Sequence, residues 1–456
     1  MKCPRIFGAP LSIALLAFIT EMIRATTLSS LLGYMPTLLQ RFGLAEVEIG
    51  YYQGLMIGQY FTVHLLTLTV LGCIGDIYSS FDSKRLFLIS NAIQGFALLL
   101  LAFSKSTPYV FCAVFVLALP ATLRPNLDCI VFKCTNTEDR VSVVTYLISM
   151  PYTLGFFFGP AISGSLSFPL EQYPGIFPEN VVTKTYLVFI PNMLLFLLQI
   201  ATIGWAVLVL KTGRNDDEKE NENLGRLEER RQPLTMFSVL KSMSCERDYI
   251  IIHVVLIANA FVWQGSNNSI SLYFQTSYEK GGLGFSPSKE AQIYFAAGFV
   301  VLFGDLFIIA NVISALGLKN GLHFWTMFMT FFSSIVVTFR GITEYTEVFY
   351  TINVAMIAIG VTGTRVSIYN IIVAIVPSET LGQCMAIRMI FATVGDIISF
   401  FSTGSLFAWS LRNELNFSED SIGFPFNHAF VFYVISFLTL LCVFCETQLF
   451  MTTNKQ

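Results

Sequence analysis

Two short patterns bring ionisable side chains together by helical spacing alone. In "ATLRPNLDCIVF" Arg124 and Asp128 stand four apart, and in "ITEMIRATTLSS" Glu21 and Arg24 stand three apart. Either spacing puts both groups on one helix face within reach of each other. As a static pair each set neutralises itself and fixes packing. As a working pair, the cation Arg124 holds an anionic solute group or a coupling carboxylate, while the acid, Glu21 or Asp128, carries a proton. Pro125 removes a backbone donor inside the first pattern, which lets a helix bend there. Arg365 in "GVTGTRVSIYN" is a further cation suited to a solute anion, and Asp396 a further acid suited to a proton. Asp305 is one more ionisable group in apolar surroundings, and Arg388 is expected to snorkel toward an interface. His64 is the one histidine expected on a cavity wall. The stretch "NAFVWQGSNNSISLYF" gathers Asn259, Trp263, Gln264, Asn267 and Asn268. Its amides must find partners across helices or face a wet space, and Trp263 offers a flat apolar surface on which a ligand can stack. "CVFC" at Cys442–Cys445 has zinc-ligand spacing without a second pair, so no metal site is expected.

The elements that must position these groups are membrane helices. Of 456 residues 54% are hydrophobic and 12% charged, about half the charge of an ordinary soluble domain. Twelve apolar runs are long enough to span a hydrocarbon core about 30 Å thick. They fall near 10–33, 50–71, 86–104, 108–131, 142–166, 185–210, 249–275, 291–315, 322–340, 346–374, 384–410 and 427–450. Lipid gives an open strand edge no partner, and the runs are too long for barrel strands, so the fold class is an all-α membrane bundle. A net charge of −3 without a basic stripe gives no footing to nucleic acid. No G-x-x-x-x-G-K-[ST] loop offers a nucleotide site, no cofactor is implied, and no nucleophile and base set suggests an enzyme. The nine cysteines avoid the bodies of the loops expected outside, which argues against a disulfide framework.

With both termini in the cytoplasm, sixteen Lys and Arg fall on the inner side against seven on the outer, the bias expected of that orientation. "NFS" at Asn416 then faces outward as a glycosylation acceptor motif. The only long charged run, residues 211–248, carries eight basic and nine acidic residues that nearly cancel. It reads as a solvated linker between an N-terminal half, 1–210, and a C-terminal half, 249–456. The halves repeat: 39 residues separate Arg124 from the "GSL" at Gly164–Leu166, and 38 separate Arg365 from the "GSL" at Gly404–Leu406. A duplicated six-helix unit points to a transporter with its site between the halves.

With these residues in view, the chain resembles the major facilitator superfamily, and within it the zinc-induced facilitator-like branch of the drug:proton antiporter group. "GCIGDIYSSFDSKR" is similar to the family's loop signature through Gly72, Asp76, Lys84 and Arg85. "LGFFFGPAISGS" is similar to the antiporter signature through Gly155, Gly159, Pro160 and Gly164. "EIGYYQG", "YPGIF", "GGLGFS" and "LFAWS" match the branch in detail, whereas Gln59 stands where the branch carries an arginine. The resemblance implies twelve helices in two pseudo-symmetric halves and antiport of small organic solutes, drug-like compounds or metal-chelating metabolites, coupled to protons. It implies gating through Asp76, Lys84 and Arg85, with Asp76 latching the second helix to the eleventh, and through Gly155, Gly159, Pro160 and Gly164, and it puts the fourth helix, hence Arg124, on the central cavity. The expected partners are a small-molecule substrate, protons and the lipid bilayer, with the chain a monomer in the plasma membrane or an endomembrane. A receptor that kept the fold but does not transport is the alternative.

Overall fold

Apolar runs broken by Gly, Pro and polar turns leave the backbone no choice in lipid but to satisfy itself within helices. The computed structural model describes residues 5–6, 9–77, 83–120, 131, 144–173, 175–176, 185–212, 240, 247–336, 345–376, 381–415 and 427–449. A two-residue antiparallel pairing of Arg5–Ile6 with Ala9–Pro10 precedes the helices. The first half contributes α1 Leu11–Arg41, α2 Glu46–Ile77, α3 Ser83–Ala102, α4 Thr107–Ala118, α5 Met150–Leu166 and α6 Phe189–Thr212. The second contributes α7 Arg247–Gln275, α8 Pro287–Phe307, α9 Leu318–Ile335, α10 Thr346–Ile375, α11 Leu381–Leu415 and α12 Phe430–Thr447. Ile309–Leu316 continues α8 after a break at Ile308.

Among the described residues eight helices are long and apolar enough to cross a membrane. Several helices overrun their apolar runs. α1 continues through Pro36 to Arg41, and α2 begins four residues before the run expected at 50, because a helix does not stop where hydrocarbon does. Pro151 stands at the start of α5, directly after a π-helical turn at Val144–Ser149, where wider winding accommodates a residue without an N–H. The linker positions 213–239 and 241–246, and Asn416, lie outside the described residues.

The duplication reappears in the packing. α1 packs on α5 as α7 packs on α11, α3 on α6 as α9 on α12, and α2 on α4 as α8 on α10; between the halves, α2 meets α11 and α8 meets α5. Lipid tails are as apolar as leucine, so helices associate in membranes by close van der Waals approach, which small residues permit. A Cβ on Gly155 would run into the Met22 carbonyl and Ala25 of α1. One on Gly395 would run into the Ile257 carbonyl and Ala260 of α7. The repeated "GSL" marks the crossings between halves: a Cβ on Gly164 would strike Pro287 and Ala291 of α8, and one on Gly404 would strike Gly50 and Gly54 of α2.

Gly155→Ala and Gly395→Ala should each destabilise the bundle by about 1–3 kcal/mol through overpacking. Gly204→Ala, with no atom near its added methyl, should melt with the wild type. Thermal unfolding in detergent reads the difference, and three coincident melts would refute the close-approach account.

Candidate functional site

Glu21 and Arg24 form a two-pronged ion pair on α1, with Arg24 Nε donating to Glu21 Oε2 at 2.9 Å and Nη2 to Oε1 at 2.7 Å. Glu21 is 1% exposed and uses both oxygens, whereas the guanidinium reaches inward beyond it. There it lies 5.3 Å from the centre of the Tyr152 ring on α5. Arg365, from α10 of the other half, lies 5.1 Å from the centre of the same ring. A single aromatic ring thus meets a cation from each half, an attraction that strengthens where water is excluded. Asp305 of α8 is buried within electrostatic reach of Arg365.

Tyr152 and the two arginines line one cavity between the halves. α2 supplies Phe61 and His64, α7 supplies Asn259 and Gln264, and α11 supplies Arg388, Thr393 and Asp396. His64 stacks on Tyr60 at 5.7 Å, and Arg388 lies 5.3 Å over Tyr369. Asn259 Nδ2 and Gln264 Oε1 are buried without a hydrogen-bond partner among the described residues. Buried amide atoms are rarely left so, and here they leave a donor and an acceptor for a bound molecule. The walls therefore present three guanidiniums, one carboxylate and unengaged amides, contributed by both halves.

The cavity has a floor. Phe156 packs on Trp263 at 4.8 Å, and Phe61 stacks on Phe400 at 5.4 Å, each contact joining the two halves. Beyond it, toward the end that holds the α1–α2 and α7–α8 connections, lies a ladder of hydrogen bonds between halves. Gln53 donates across to Asn268 at 2.9 Å, and Asn268 in turn, within the second half, to Thr403 at 3.1 Å. Ser271 donates to the Leu32 carbonyl at 3.2 Å. Thr37 donates to Gln275 Oε1 at 2.8 Å, and Gln275 Nε2 donates to the Gly33 carbonyl at 3.0 Å. At the aqueous head of α2, before the apolar run, Glu46 accepts from the Ser277 N–H at 2.7 Å and from Lys280 at 2.6 Å. This first-loop end is sealed, and the cavity lies on the opposite side of the seal.

Arg24, His64, Gln264, Arg365 and Asp396 come together in the cavity. Trp263 goes instead to its floor, and Asn267 donates to the Trp263 carbonyl at 2.7 Å, away from the cavity. Gly155, Gly159, Pro160 and Gly164 stand on α5, where Gly155 and Gly159 face α1 and Gly164 faces α8. Lys84 Nζ donates to the Leu210 carbonyl at 3.4 Å, and Arg85 is exposed beside it. Arg124, Asp128 and the side chain of Asp76 lie outside the described residues. Sequence reasoning overlooked Tyr152, whose only signal was an aromatic one turn before a conspicuous glycine. It sent Arg388 to an interface, but the side chain lines the cavity and is 7% exposed, its charge held over the Tyr369 ring.

A helical membrane protein with a charged cavity shared by two repeated halves and closed toward one end has the architecture of a solute transporter. The Major Facilitator Superfamily model matches residues 14–400, and the chain belongs to that family. It is 24% identical over 331 residues to a probable peptide/nitrate transporter of Arabidopsis thaliana, covering 66% of this chain and 63% of that one. It is 22% identical over 303 residues to the protein zinc induced facilitator-like 1 of the same plant, covering 63% and 61%; the branch read from the motifs is thus among its relatives. The chain spans less than two thirds of the length of either. A D-xylose–proton symporter superposes with a TM-score of 0.67 at 11% identity, covering 96% of this chain and 97% of that one. The human organic anion transporter MFSD10 does so with 0.63 at 12%, covering 95% and 99%. These structural likenesses show the fold.

Two measurements test the electrostatics. Glu21→Gln leaves Arg24 charged and deprived of its carboxylate, and should cost about 3–5 kcal/mol; Glu21→Leu combined with Arg24→Met should regain most of that in the same melt. The Glu46 carboxyl is partly buried, which opposes its charge, yet Lys280 and the Ser277 donors hold it below the ordinary carboxylate value. A depressed folded value contributes stability above the unfolded value of about 4.3, and that contribution is lost as pH falls through the lower folded value. Wild-type melts should therefore lose an increment on acidification that Glu46→Gln lacks, and parallel pH profiles would exclude it.

Proposed function

We propose that this chain carries out secondary active transport of a small polar organic solute bearing an anionic group, by alternating exposure of the central cavity and with proton coupling. The observation that carries the reading is the Tyr152 ring with Arg24 and Arg365 on it from opposite halves. A solute held among such groups is bound by both halves at once, so their relative motion changes its surroundings and its access. Glu21 balances Arg24 and Asp305 lies within reach of Arg365, but it is the guanidiniums that line the cavity and can take an anionic group, and the amides of Asn259 and Gln264 suit its polar substituents. Asp396, beside these cations and within the cavity, is the foremost carrier for the coupled proton; His64 is the second titratable group on the wall. Glu21 serves through Arg24, whose charge it balances.

The relatives lend support in kind: their names speak of peptide or nitrate transport, and those of the structural neighbours of a sugar with a proton, nucleosides and organic anions. In this reading residues 1–210 and 249–456 are the two moving halves, joined by a cytoplasmic linker at 211–248. Arg124 and Asp128 join the binding and proton sites, and Asp76, Lys84 and Arg85 form the gate at the linker side. Trp263 and Asn267 act by shaping the floor. The chain works as a monomer with both termini in the cytoplasm.

Uptake into proteoliposomes, screened over carboxylated, zwitterionic, neutral and cationic solutes with and without a pH gradient, tests this. Accumulation of a carboxylated solute should follow the gradient, and Arg365→Gln should lower it at least about tenfold, the loss expected when a buried charged hydrogen bond is removed. Saturable binding without movement under either condition would favour the receptor reading instead.

A further inference from the structure

The buried carboxyl that the central cavity leaves unexplained is Glu290, in the first turn of α8 behind the Ser286 cap. It is 1% exposed and belongs to the seal. Its Oε2 accepts from Gln275 Nε2 at 2.6 Å, Ser271 is a close neighbour, and Oε1 has no hydrogen-bond partner. Among the described residues Glu290 makes no ion pair, and the charges around it are engaged elsewhere. Lys289 pairs with Glu347 of α10 at 2.6 Å, Lys280 with Glu46 of α2 at 2.6 Å, and Arg41 of α1 with Glu171 at 2.6 Å. Tyr294 stands one turn further along α8. α5 presents Gly164 to Pro287 and Ala291, and α1 presents the Gly33 carbonyl to Gln275. An ionised carboxyl at this place is stripped of water with no cation to offset it, whereas a carboxylic acid is not.

A second observation gives a proton its route. A separate cavity at the first-loop end is lined by Thr37, Gln275 and Pro287, with Arg41, Glu46 and Glu171 on its walls. Gln275 stands between that vestibule and Glu290. The same side chain holds the halves together through Thr37 and Gly33. Gln275 and Glu290 belong to one half, whereas Thr37, the Gly33 carbonyl and Gly164 belong to the other, so parting of the halves lifts α1 and α5 off this pair and admits vestibule water to it.

We propose that Glu290 is a proton-binding site built into the seal, protonated while the halves meet at the first-loop end and deprotonated to that side when they part. On opening, the carboxyl O–H bond breaks heterolytically; the proton passes to vestibule water and the electron pair stays on the carboxylate. Closure reverses both. Acid at that end holds the seal shut, and alkali favours opening. The site lies outside the solute cavity and acts whatever the solute is.

The test uses the full chain in nanodiscs with spin labels at Ala45 and Glu279, exposed positions in the two connections, introduced as encoded amino acids so that native cysteines stay. The wild-type distance should be short in acid and shift to longer values in alkali. Glu290→Gln, which mimics the neutral acid, should stay short throughout, and Glu290→Asp should restore the response. Gln275→Ala, which removes the cover and both bonds between halves, should lengthen the distance at every pH. The nearby Glu46–Lys280 pair has the opposite sign, since acid weakens it, so lengthening on acidification would assign the response to Glu46. That result, no response in the wild type, a response surviving in Glu290→Gln, or a short distance in Gln275→Ala would each overturn the proposal.

Discussion

A guanidinium has no place in hydrocarbon, and most of this molecule can be understood as the consequence. A charge at bilayer depth costs about 2.5–3.5 kcal/mol on insertion scales unless protein or water surrounds it. Arg24 is accommodated by a carboxylate on its own helix and by the Tyr152 ring; Arg365 is accommodated by that same ring from the other half. Because the ring serves both cations, the two halves of the duplicated fold are held in register at their centre. The charges keep the cavity polar, and the bundle shields the charges.

Around that centre the repeat is symmetric in packing and asymmetric in bonding. Equivalent helix pairs approach through equivalent glycines, Gly155 and Gly395 within the halves and Gly164 and Gly404 between them. This gives each half rigidity without a hydrophobic driving force, which lipid does not provide. Among the described residues the polar ladder of Gln53, Asn268, Ser271 and Gln275 lies on the first-loop side of the floor. Hydrogen bonds between whole bodies can be exchanged for bonds to water at small net free energy, so a seal built from them is suited to opening as interdigitated apolar side chains are not. Symmetric packing supplies the halves, and one-sided bonding supplies the closed end.

Much of the candidate site was legible in advance. Ionisable residues in apolar runs can be read one at a time because each violates the lipid environment, and Arg24, His64, Arg365 and Asp396 all meet in one cavity. The amide-rich stretch of α7 was legible for the same reason, although its members divide: Gln264 lines the cavity, Asn268 closes the ladder, and Asn267 bonds along its own helix. Tyr152 and Glu290 were not legible. A tyrosine violates nothing in an apolar run, and a glutamate in the first turn after a helix cap is ordinary at an aqueous helix start; only its neighbours from other helices bury it.

By itself, the amino-acid sequence determined that the chain is a helical membrane protein, that it is duplicated, and which side chains lipid would reject, because periodicity, length and transfer cost are local properties of a segment. Tertiary structure decided which of those side chains share a space, which end of the bundle is closed, and which carboxyl is shut away from water. Those depend on how the helices of one half face those of the other. Such a facing is set by contacts between residues more than a hundred positions apart, and no local pattern encodes them.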